Sequence, residues 1–197
     1  MSRPSTLRKA QRTQNKTALG RIEREVHNRS SLSRFTDLAN TVLDVGKRAP
    51  AFTLPNAHGE RTRLTDLRGR WVVLYFYAKD GANGCTSQAR AFRDAHQQFE
   101  ESGAVILGVG PDGCESHAAF IKAEKLCFDL LVDRDSKLAI RYGACREKGR
   151  SGFRYYGIVR STFLIDPSGR IVHIWDNLRV HGHVARVLKR FTEELEI

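Results

Sequence analysis

Hydrophobic positions along this chain fall into alternating strand-like and helix-like patterns. Trp71 to Tyr77 is an unbroken apolar run of strand length, rich in β-branched and aromatic side chains, as a strand buried on both faces requires. After it, Ala89, Phe92, Ala95, His96 and Phe99 recur along one side of a helix predicted from about Gly84 to Glu101. The alternation continues with a strand over Ala104 to Val109, a helix over about Cys114 to Glu124, a short strand over Asp129 to Val132 and a helix over Ser136 to Tyr142. Ser161 to Ile165 and Ile171 to Trp175 read as two strands. Between them Asp166-Pro167-Ser168-Gly169 makes a tight turn, which predicts a hairpin. Val180, Val184, Val187, Leu188, Phe191 and Leu195 mark a closing amphipathic helix. Strand and helix in alternation, finished by a hairpin and a helix, predict an α/β sandwich.

The first 44 residues have a different texture. Ser, Thr, Asn, Gln and Arg dominate up to Ser33, and apolar residues are too scattered to bury much surface, so a flexible extension is expected over residues 1–44 and a folded domain over residues 45–197. A weak helix is predicted at the junction, from Ser33 to Leu43. Residues 1–45 hold nine Lys and Arg against four acids, and no acid precedes Glu23. Such an arm fits three readings: a solubilising tail, a nucleic-acid contact through phosphate neutralisation, or a targeting segment for an organelle or the nucleus. The remainder carries 24 basic and 18 acidic residues, so nearly half of the net charge of +11 lies in the arm.

Composition narrows the class. With 41% hydrophobic and 28% charged residues in a chain of 197, disordered, collagenous and coiled-coil readings fail for the whole, and one domain of ordinary size is expected. No apolar run approaches the roughly 18 residues of a membrane span, so a soluble, cytoplasmic protein without a membrane partner is expected. Four cysteines, at 85, 114, 127 and 145, form no Cys-x-x-Cys pair, which disfavours a zinc ribbon and a thioredoxin-type dithiol. His181 and His183, two residues apart, fall on different faces of a helix, so no metal site is expected there and a surface or capping role is.

Reactive groups in α/β folds collect at the carboxyl ends of central strands, which points to the segment after Tyr77. There Cys85 lies in the turn-rich Asp80-Gly81-Ala82-Asn83-Gly84-Cys85-Thr86-Ser87-Gln88, where a strand ends and a helix begins. Unsatisfied N–H groups and the positive end of the helix dipole favour a thiolate at such a position, and a guanidinium nearby would add to them. The alternative reading of Cys85 is a small buried core residue.

These residues carry a resemblance. Val45-Gly46-Lys47-Arg48-Ala49-Pro50-Ala51-Phe52-Thr53-Leu54 resembles the opening of a peroxiredoxin. Tyr75 to Asp80 followed by Gly84-Cys85-Thr86-Ser87-Gln88-Ala89 and Phe92-Arg93-Asp94 is similar to the active-site segment of the peroxiredoxin Q group, also called bacterioferritin-comigratory proteins. Leu107-Gly108-Val109, Ser116-His117, Phe120, Phe128 to Asp133, Tyr142-Gly143 and Arg160 to Asp166 match in order. The resemblance implies a thioredoxin-like sandwich with a central mixed sheet, and a peroxidase acting on hydrogen peroxide or organic hydroperoxides. Cys85 matches the peroxidatic cysteine and Arg160 the active-site arginine; Thr86, Gln88 and Arg93 match supporting positions of the loop and helix. It calls for no metal, haem or flavin, because the thiolate does the chemistry. Its partners are a hydroperoxide and a reductant, thioredoxin or another thiol, and the protein is expected to be a monomer or a homodimer.

The chain departs from the family pattern in two places. The motif Pro, three residues, Thr or Ser, two residues, Cys stands here as Ala78, Ala82 and Cys85. Loss of one preorganised donor to a transition state typically costs two to three decades in rate, which leaves a second reading open: a weakened peroxiredoxin-like sensor or partner-binding protein. Asn83, Thr86 and Ser87 stand nearby as substitute donors. The seats of a resolving cysteine hold Arg90 and Ile121. Cys114 is the remaining candidate for that role, Cys127 and Cys145, the latter placed in a loop, read as incidental thiols, and one-cysteine chemistry with an external thiol is the default. The basic stretch Arg141, Arg146, Lys148, Arg150 and Arg154 reads as a solvated loop.

Overall fold

A computed structural model describes residues 43–150 and 153–196. Its centre is a five-stranded sheet in the order β5 (Asp129–Val132), β4 (Ala104–Gly110), β3 (Trp71–Phe76), β8 (Ser161–Ile165), β9 (Ile171–Trp175). The first three strands are parallel, as expected when a helix connects each to the next; β8 runs antiparallel to β3, and β9 runs antiparallel to β8. The connecting helices are α1 (Asn83–Glu101) between β3 and β4 and α2 (Cys114–Glu124) between β4 and β5. A short α3 (Lys137–Arg141) follows β5, and α4 (His183–Leu195) closes the chain.

The unbroken apolar run of β3 follows from its place at the middle of the sheet. Val72, Leu74 and Phe76 face one cluster, which Phe52, Leu138, Ile140 and Tyr142 complete. Val73, Tyr75 and Tyr77 face the other, built with Phe92, Phe99, Phe120, Val187 and Phe191 of α1, α2 and α4. Phe99 stacks on Phe191 with centroids 5.7 Å apart, which seats α4 against α1.

Several expectations are corrected. The basic stretch is not a loop: Cys145–Arg150 and Phe153–Ile158 form a two-stranded antiparallel pair, β6 and β7. The first of these strands is mostly charged because it pairs only with the second and belongs to no large sheet, and Cys145 is a buried strand residue. A second small pair, β1 (Thr53–Pro55) with β2 (Arg61–Arg63), precedes a 3-10 turn at Leu64–Leu67. Three residues per strand are too few to show periodicity. His183 is neither at the surface nor a cap; it is the wholly buried first residue of α4, its Nε2 2.9 Å from Thr162 Oγ1 on β8. Val180 precedes the helix. The helix predicted over Ser33–Leu43 lies outside the described residues except for Leu43, which packs against the first cluster.

Candidate active site

The sheet register brings together Cys85 and Arg160, 75 positions apart. Phe76, the last residue of β3, pairs with Ser161, the first of β8. The chain leaving β3 and the residue entering β8 therefore meet at one end of the sheet. From Phe76 the chain passes through Ala78, Lys79, Asp80 and Gly81 into α1, and Gly81 takes a φ of 71°, where a side chain would strain the turn. Ala82 is extended at the N-cap, and the Thr86 N–H donates to the Ala82 carbonyl at 2.8 Å, the first helical bond. The N–H groups of Asn83, Gly84 and Cys85 thus come before any intrahelical acceptor, and Ala82 offers no side-chain cap.

Cys85, third in α1, is wholly buried, and Arg160 Nη2 lies 3.8 Å from its sulfur. The same guanidinium packs over the backbone of Gly84, where a Cβ would come within 2.8 Å of Nη2. Arg160 is held by its backbone, its carbonyl accepting from the Leu178 N–H at 3.1 Å, and its Nε is buried without a partner among the described residues. A thiol at a helix start facing a guanidinium with a spare donor is an arrangement that can stabilise a thiolate and the negative oxygens that develop when it attacks. Beneath it Tyr75 is stacked on Phe92 at 4.7 Å; burial first, then the charges of Asp80 and Cys85, hold its phenol well above the ordinary range, so it remains a hydroxyl.

The AhpC/TSA family model matches residues 45–174. The chain belongs to the AhpC/TSA family. Peroxiredoxin Bcp of Bacillus subtilis is 44% identical over 154 residues, which cover 78% of this chain and 98% of that protein. Among solved structures, a bacterioferritin comigratory protein of Xanthomonas campestris, described for its alkyl peroxide reduction activity, is 34% identical with a TM-score of 0.73, covering 78% of this chain and 98% of that one. A PrxQ cysteine-to-serine mutant of Xylella fastidiosa is 31% identical with a TM-score of 0.74, covering 79% and 99%. The fold is accordingly the thioredoxin-like fold of peroxiredoxins.

Within that family site the other predicted residues separate. Gln88, one turn after Cys85, is wholly buried, and neither of its amide atoms has a partner among the described residues. Thr86 is half-buried beside the cysteine. Ser87 is exposed and its hydroxyl donates to the Asn83 carbonyl at 2.9 Å, so it does not stand in for the missing motif hydroxyl. Arg93 lies eight residues along α1, about 12 Å at the helical rise. Its guanidinium engages Asp94 and the Glu124 carbonyl at the end of α2.

All four cysteines are free thiols. Cys114, the first residue of α2, is half-buried and borders an open cleft of about 440 Å³, with Phe52, Leu54, Arg134 and Leu138 in its wall; neither Cys85 nor Arg160 lines it. Burial pushes the Cys145 thiol up to about 11, and the Cys127 thiol is also raised, first by desolvation. Arg90, in one resolving-cysteine seat, pairs with Glu124 across α1 and α2. The sequence marks Asp80 only as a matched residue that could orient the loop or helix, and gives His117 no role, although both fall in matched segments. Both are buried and bonded to each other next to the site.

Proposed function

We propose that the protein is a thiol peroxidase in which the Cys85 thiolate attacks the O–O bond of hydrogen peroxide or an organic hydroperoxide. A sulfur–oxygen bond forms as the O–O bond breaks. The departing hydroxide or alkoxide takes a proton from solvent, leaving water or an alcohol and a sulfenic acid on Cys85. Arg160 stabilises the thiolate and the charge growing on the peroxide oxygens. The observation that carries this reading is the 3.8 Å approach of Arg160 Nη2 to Cys85 Sγ at the start of α1. A thiol reductant, thioredoxin or another, condenses with the sulfenic acid, releasing water, and a second thiol frees Cys85 as a disulfide forms. Cys114 is an internal candidate for the first of these thiols. It lies two residues after Asp112, whose Oδ2 accepts the Asp80 N–H at 2.8 Å, so the loops leading into the helices of the two cysteines touch.

Peroxide consumption by the purified protein with a reducing thiol, set against Cys85→Ser, tests the reading; equal rates for the two proteins defeat it. Ala82 favours a second reading. With no hydroxyl at that N-cap, the site lacks one donor, and a slow peroxidase serving as an oxidation sensor or partner-binding protein is consistent with it. The chain works as a monomer or homodimer of the cytoplasm, its folded domain beginning near residue 45, and its basic arm, residues 1–44, is open to a nucleic-acid partner. No helix among the described residues is long and apolar enough to cross a membrane.

A further inference from the structure

The loop that carries Cys85 lacks the proline of its motif and yet must present the first turn of α1 to Arg160. Ala78 and Lys79 are exposed, and the Ala78 N–H makes no hydrogen bond among the described residues. Within the loop the Ala82 N–H reaches only to the Lys79 carbonyl, at 3.4 Å. Backbone bonding alone therefore fixes little between Tyr77 and Ala82. Four other contacts converge on one residue in between. Asp80 Oδ1 accepts from the Tyr77 hydroxyl at 2.7 Å; Oδ2 accepts from Ser116 Oγ at 2.7 Å and faces His117 Nδ1 at 2.8 Å; and the Asp80 N–H donates to Asp112 Oδ2 at 2.8 Å. These partners come from the end of β3, from α2 and from the turn before α2, so Asp80, through its carboxylate and its N–H, ties the loop to three elements.

His117 is the deepest of them. Its side chain has no exposure, Nδ1 bonds the Asp80 carboxylate, and Nε2 faces the Leu131 carbonyl on β5 at 3.2 Å. Its ring thus spans from the edge strand of the sheet to the loop. Resting on the peroxidase reading above, we propose that His117 is a positioning residue of the reaction: with Asp80 it holds the loop before Cys85 in the place where proline is missing at position 78. None of its hydrogen bonds reaches Cys85 or Arg160, so it acts through the loop. A buried polar network whose groups are bonded to one another in this way fixes one arrangement of the elements it joins.

The test compares wild type, His117→Asn, His117→Gln and the double variant Ala78→Pro/His117→Gln, each at a temperature where denaturation curves show it folded. The asparagine amide can still donate to Asp80; the longer glutamine reaches toward Leu131 and loses the Asp80 bond. The expected result is a fall of about tenfold or more in the second-order rate with hydrogen peroxide for His117→Gln. His117→Asn is expected within about threefold of wild type, and Ala78→Pro is expected to return most of what glutamine removed. Amide hydrogen exchange over residues 78–85 is expected to quicken in His117→Gln and to slow again with the proline. Unchanged exchange, or a folded His117→Gln protein that reacts at the wild-type rate, overturns the inference. If the glutamine variant does not fold, Ser116→Ala carries the same comparison from the half-buried side, with a few-fold loss expected and none overturning it. An inactive wild type defeats the peroxidase reading instead, and hydrogen exchange still decides the role of the loop.

Discussion

Arg160 and Gly84 occupy one another's space: the guanidinium lies where any side chain on residue 84 would begin, 2.8 Å from Nη2 to a Cβ built there. This close approach lets an arginine just before β8 reach the sulfur of Cys85. It also gives the glycine a reason that its backbone does not, since Gly84 has no positive φ.

Gly84→Ala separates stability from activity. Alanine in a helical turn is favoured over glycine by about 0.5–1 kcal/mol, so thermal stability is expected to hold or rise. Arg160 must shift, and the peroxide rate is expected to fall about a hundredfold. Denaturation curves and stopped-flow peroxide kinetics on the same protein check both signs.

Ala82→Thr restores a hydroxyl at an extended N-cap and one residue of the motif. A Thr cap contributes about 1 kcal/mol over Ala. The donor is expected to raise the peroxide rate by one to three decades. A gain in stability with no gain in rate would mean that the hydroxyl serves only the helix here.

Gln88→Met replaces a wholly buried amide, both of whose polar atoms are unpartnered, with an apolar side chain of similar length. Removing unsatisfied buried groups is expected to stabilise the reduced protein by about 1–3 kcal/mol in urea unfolding. A destabilised variant would show that the amide is bonded in solution.

His183 predicts an acid sensitivity. Burial, then the charge of Arg186, pushes its pKa down to about 4, so the folded state holds it neutral below the ordinary imidazole value of about 6.5. The folded state therefore binds fewer protons than the unfolded chain between those values. Its contribution to stability is intact above pH ~6.5, falls by about 1.4 kcal/mol per pH unit below that, and levels off near pH 4. Urea unfolding of wild type and His183→Leu at pH 7 and pH 4.5 checks this, the wild type being expected to lose about 2–3 kcal/mol more than the variant.

The central sheet was legible because its strands are buried on both faces and announce themselves as apolar runs, and α1 and α4 because each turns one apolar side to that sheet. β6 and β7 were not legible. Their pairing is with each other, and a strand such as Cys145–Arg150 carries charge where a sheet strand carries packing. Cys85 was readable from its place between a buried strand and a helix, whereas Arg160 came only through the family resemblance, since the meeting of the two depends on the register of Phe76 with Ser161. His183 was misread because helical position alone does not reveal that Thr162 waits on the neighbouring strand. The Asp80 and His117 pair depends on a contact 37 residues apart, which no local pattern encodes.

The most direct measurement treats the reduced protein with one equivalent of hydrogen peroxide in the presence of a sulfenic-acid trap and locates the adduct by peptide mass spectrometry. The adduct is expected on buried Cys85, abolished by Cys85→Ser and strongly slowed by Arg160→Met. An adduct on exposed Cys127 with Cys85 unmodified would contradict it.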